Sequence, residues 1–124
     1  MAAMVATACA RSDDGSDPAA RTAAATVTEL CLAAIDEQSA AASRRFQSVH
    51  GPLHELADDT AQADRTVAAR LLEAKQQVEA AIEQQVDPAD LRQRLIVLAH
   101  ASVAALTAVD VAAPAACNDL EPPP

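Results

Sequence analysis

From residue 18 to about 50 the chain carries no Gly, and no Pro after Pro18. Within that stretch Val27, Leu30, Ala34, Gln38, Ala41 and Arg45 recur at alternating spacings of three and four, flanked by Cys31 and Ile35. That is the period of one helix face. Asp17-Pro18 adds an N-cap and a first-turn proline, where the missing N–H donor costs nothing. Gly51-Pro52 predicts a stop and a restart, with Gly51 after the first helix and Pro52 opening the second. Over 52–86, Ala57, Thr60, Asp64, Val67, Leu71, Ala74, Val78, Ala81 and Gln85 keep heptad spacing. Thr60 and Asp64 interrupt that seam, so its Gly51 end is expected to be looser than its middle. Asp87-Pro88-Ala89-Asp90 repeats the capping signal. A third stripe follows, Leu91, Leu95, Leu98, Ser102, Ala105 and Val109, widened by Ile96, Val97 and Leu106. Pro114 forbids continuation, and Glu121-Pro122-Pro123-Pro124 reads as an extended tail.

Helices over about 18–50, 52–86 and 88–110, joined by short connections, predict an all-α, antiparallel up-down-up three-helix bundle. The expected domain plan is a disordered or signal-and-tether segment at 1–17, the bundle at 18–111, and a Pro-rich tail at 112–124. At about 1.5 Å per residue the two long helices reach roughly 45–50 Å and the third about 34 Å. The Gly51 end of the long hairpin should therefore overhang, leaving Phe46, Val49, Leu53 and Leu56 short of partners. Two outcomes follow. Phe46 either closes the turn against Leu53 and Leu56, or belongs to an apolar tip rimmed by His50, His54 and Glu55 that docks a protein partner or a second copy of the chain.

Composition narrows the function. Of 124 residues, 51% are apolar, but alanine supplies over half of these and Phe46 is the sole aromatic. Two glycines leave no Gly-rich phosphate loop. A net charge of −9 and the lack of stacking aromatics argue against nucleic acid as a partner. The acidity is concentrated in residues 52–86, the mark of a solvated face. Eight arginines against the one lysine, Lys75, with abundant alanine, suit a high-GC genome. No stretch reaches the roughly 18 apolar residues that span a bilayer.

The first residues differ from the rest. Ala6-Thr7-Ala8-Cys9 follows a short apolar run and precedes the polar stretch Arg11 to Asp17. This segment resembles the lipobox and tether of exported lipoproteins of high-GC actinobacteria, although no basic residue precedes Cys9. The resemblance implies lipid attachment at Cys9, membrane contact through that lipid alone, and a basic, apolar extension upstream of Met1. Of the remaining cysteines, helix heights at about 1.5 Å per residue put the end of the third helix about 12 Å from the level of Cys31. The seven residues before Cys117 can return that distance. A Cys31–Cys117 disulfide is expected, leaving Cys9 unpaired and pointing to an oxidising compartment.

Candidate chemistry is sparse. His50, His54 and Asp58 are spaced four apart and, on an unbroken helix, would share a face that could bind zinc or copper. Gly51-Pro52 falls between the histidines and weakens that alignment. No Ser sits on a strand-turn-helix elbow, and no catalytic residue is expected. The sequence thus favours a non-catalytic exported or lipid-anchored helical bundle with an interaction or structural role in the cell envelope. A zinc- or copper-binding helical module and a cytoplasmic coiled-coil adaptor are the alternatives.

Overall fold

The computed structural model describes residues 17–124 and contains five α-helices and no strand among them. These are α1 (Pro18–Ile35), α2 (Ser39–Ser48), α3 (His50–Ala63), α4 (Arg65–Glu83) and α5 (Pro88–Ala108), followed by a short 3-10 turn at Ala115–Asp119. The all-helical expectation holds for these residues. The three uninterrupted helices do not, because each of the two long ones is divided.

The first division is at residues 36–38. Asp36 Oδ1 accepts the Gln38 backbone N–H at 2.9 Å, an aspartate turn that needs neither Gly nor Pro. Arg45 on α2 then reaches back to Asp36 Oδ2 at 3.5 Å and to Glu29 on α1 at 3.1 Å, so α2 lies antiparallel to α1. The second division is Asp64. Its backbone is extended (φ −155, ψ 103), and its side chain accepts from the N–H groups of Thr66 and Val67 as the N-cap of α4. His50, opening α3, meets Glu79 near the end of α4 at 2.8 Å, which makes α3 and α4 an antiparallel hairpin. Asp64 is therefore a cap between helices and not a position on one seam.

By contrast, Gly51-Pro52 does not separate two arms. The one-residue break falls at Val49, and Gly51 and Pro52 lie inside the first turn of α3, a position proline tolerates. Both α2 and α3 run against α1, with Pro52, Glu55 and Asp59 of α3 beside Pro18, Ala19 and Thr22. Together they form one interrupted arm. The last helix, α5, is antiparallel to α1. Pro88 and Leu91 sit beside Ala33 and Asp36, while Val109 and Val111 sit beside Ala19 and Ala23. Arg94 ties α5 to α4 through the Gln77 carbonyl at 3.1 Å and to Asp90 one turn earlier on its own helix at 3.0 Å.

The folded-back arms leave no overhang. Leu53 is fully buried, Phe46 and Leu56 are 2% and 3% exposed, and Val49 is buried as well. They join Val27, Leu30, Leu71, Val78, Leu95, Leu98 and Leu106 in one core. The exposed docking tip expected from unequal helix lengths is thus corrected: folding back at Asp64 brings α4 over that seam. The buried hydroxyls of Thr26, Thr60 and Ser102 donate to carbonyls of their own helices, so the core holds no orphaned side-chain polar atom among the described residues.

The C-terminal stretch is also more than an extended tail. Two helices end on a left-handed residue, Gln85 (φ 53) and Asp110 (φ 61). Val86 N–H donates to the Ala81 carbonyl and Val111 N–H to that of Leu106, closing each terminus in a Schellman pattern. After the second, the chain returns along α1, forms the 3-10 turn, and ends across α5.

Candidate functional site

Among the described residues, two side-chain groups stand out for their chemistry. The first is the disulfide Cys31–Cys117, with Cα atoms 5.2 Å apart and a sequence separation of 86. Helix α5 ends beside Ala23, and Cys31 lies about 12 Å further along α1 at helical rise, within reach of the returning chain. Cys31 is fully buried in the core, whereas Cys117 is half-buried on the 3-10 turn. Cys117 Sγ also lies 4.0 Å from the Val27 carbonyl oxygen. Cys9, with the lipobox-like segment around it, lies outside the described residues.

The second group was not legible as a site. Lys75, the sole lysine, projects from α4 with its side chain 6% exposed, and its Nζ donates to Glu79 Oε2 at 2.9 Å. His50 Nε2 lies 2.8 Å from the same oxygen. The hydrogen bond from Lys75 holds the Glu79 carboxyl below its ordinary value; partial burial opposes this, and His50 adds to the lowering. The available signal was weak. Lys75 falls beside Ala74 on the apolar stripe, with Glu79 four residues on, a spacing normally read as a surface ion pair. Burial makes it a fixed one.

His50 and His54 contact edge-to-face, their ring centroids 5.2 Å apart. Asp58 does not join them: among the described residues, no group of three or more His, Cys, Asp or Glu side chains is placed to hold a metal ion. His50 Nε2 is directed at Glu79. Beside this cluster lies an open depression of about 430 Å³ walled by Phe46, Gln47, His50, Glu79, Ile82 and Glu83. Its walls hold no hydroxyl or thiol, and Glu79 is already engaged by Lys75 and His50. The His50–Glu79 contact ties α3 to α4; the arrangement offers no hydroxyl or thiol nucleophile with an adjacent base.

His100, the third histidine, bonds the Glu121 backbone carbonyl at 2.6 Å and so belongs to the tail. No helix among the described residues is long and apolar enough to cross a membrane. No protein-family model, curated protein or solved structure matches the chain.

Proposed function

We propose that this chain is an exported or lipid-anchored, non-catalytic helical bundle that serves an interaction or structural role in the cell envelope. The observation that carries the reading is the Cys31–Cys117 disulfide. Disulfides persist in oxidising compartments and are rare where cellular reductants keep thiols reduced. A small core in which nine of the 23 buried apolar residues among those described are alanine gains from such a staple, since each alanine buries little area. The polar tract after Cys9 fits a tether, which would leave Cys9 for lipid and the other two cysteines for each other.

Intact-mass measurement of natural material, alkylated without reduction, tests the compartment. One disulfide between Cys31 and Cys117 is expected. Three free thiols would instead favour the cytoplasmic adaptor. The anchor has its own test: the wild-type chain should fractionate with membranes and Cys9→Ala should not. Equal fractionation of the two would remove the lipid from the proposal and leave a secreted bundle.

A further inference from the structure

The disulfide joins two very different halves. Cys31 is fully buried in α1. Cys117 is half-buried and sits on a segment, Ala115–Asp119, that contributes no buried residue. Apart from the disulfide, that segment and its flanks are held by slight contacts. Glu121 Oε2 meets Arg92 Nη2 at 3.0 Å, with both side chains well exposed. His100 Nε2 meets the Glu121 carbonyl oxygen, and Ala116 and Leu120 are only partly buried against the core. An exposed ion pair of this kind contributes little to stability. The buried core, in contrast, is held by the five helices and Val49, with no residue of 112–124 in it.

We infer that Cys117 is the entry point for thiol–disulfide exchange, and that opening the bond there releases residues 112–124 as a strap from a bundle that stays folded. Exchange requires an incoming thiolate to reach one sulfur while the other leaves, so access decides which sulfur is attacked. On the Cys31 side the approach is filled by the core; on the Cys117 side it crosses only the surface segment. A small dithiol attacks Cys117 Sγ as its thiolate. An S–S bond to the reductant forms, the bond to Cys31 breaks, and the electron pair leaves on Cys31 Sγ, which takes a proton from water. The second thiol of the reductant then displaces Cys117 as a thiolate, which is protonated in turn. The reductant departs as a cyclic disulfide, and the protein pair has gained two electrons and two protons. What remains of the strap's hold is the Glu121 contacts and the packing of Ala116 and Leu120. Cys31 is left as a thiol in α1.

The inference rests on the same disulfide as the proposed function, but its test starts from protein oxidised in vitro. The full chain carrying Cys9→Ser is oxidised until mass shows the pair closed, exposed briefly to glutathione, quenched in acid and alkylated. Peptide mapping should place glutathione on Cys117 and the alkyl group on Cys31, in excess of the reverse by about tenfold or more. Equal labelling, or glutathione mainly on Cys31, overturns the order of attack. Full reduction by a dithiol, followed by hydrogen exchange, tests the release. Amides of residues 112–121 should lose protection while α1 to α5 keep theirs. A strap that stays protected, or helices that lose protection with it, overturns the release. Free thiols in natural material would defeat the proposed compartment and leave both of these measurements unaffected.

Discussion

At the scale of single residues, Phe46 and Lys75 define opposite problems. Phe46 is the only aromatic ring, and its 2% exposure places it in the core beneath α3 and α4. Phe46→Ala should cost about 3–5 kcal/mol, the transfer and cavity penalty of a buried ring, read by urea denaturation. Sedimentation of the variant should match wild type, since no exposed contact is removed. Lys75 carries a charge into the same region and depends on Glu79. The Glu79 carboxyl is held below its ordinary value of 4.5, chiefly by the hydrogen bond from Lys75. A carboxyl lowered on folding stabilises the fold above the unfolded value and loses that contribution as pH falls through the lowered one. Melting temperatures of wild type and Glu79→Gln should therefore differ most above about pH 4.5 and converge as the solution is made more acidic. A gap that persisted unchanged at low pH would assign the difference to packing. Neither role could be read in one dimension, because burial of residues 46 and 75 is a property of what folds over them.

Among the elements, the caps were legible and the reversals were not. Asp17 and Asp87, each followed by proline, cap α1 and α5 as their spacing predicts. Asp64 also caps a helix, but its place in a heptad pattern made it read as a flaw in a continuous seam. Periodicity continues across Asp64 because α3 and α4 each present an apolar face to the same core. A pattern of faces alone does not distinguish a straight rod from a hairpin. Asp64→Ala should destabilise by about 1 kcal/mol through loss of the two capping hydrogen bonds that Asp64 Oδ1 accepts, measured by thermal melting followed by circular dichroism. Gly51 gives the opposite expectation. It lies in the first turn of α3, and a Cβ added there meets nothing within 4 Å. Gly51→Ala should raise stability by about 0.4–1 kcal/mol in the same assay by restricting the unfolded chain. Had Gly51 been the left-handed helix terminus that the sequence suggested, the substitution would have been destabilising. That conformation is taken instead by Gln85 and Asp110, where no glycine marked it.

For the whole molecule, the disulfide sets both stability and the path of the C-terminus. Closing a loop of 86 residues corresponds to about 4–5 kcal/mol in the chain-entropy model. If the strap comes free on reduction, the oxidised native state has also given up the freedom of the short stretch between Val111 and Cys117. The same relation assigns that closure about 2 kcal/mol, leaving a net stabilisation of about 2 kcal/mol. The double variant Cys31→Ser, Cys117→Ser should thus lose roughly 2 kcal/mol in urea unfolding and keep its helical spectrum. A loss near the full loop value would mean that the strap remains seated without its bond.

The chain's own pattern determined the helical class, the capped starts of α1 and α5, the stop near residue 110 and the pairing of Cys31 with Cys117. These follow from local spacing, from cap chemistry and from the short reach of seven residues. Tertiary structure alone decided the reversals at residues 36–38 and at Asp64, the covering of Phe46 and Leu53, the burial of Lys75 against Glu79, and the docking of Glu121 on α5. The reason is physical. Local sequence sets which face of a helix is apolar, but which face it meets depends on how the arms share one core. Here a fold of short arms buries the apolar seams that two long helices would have left exposed.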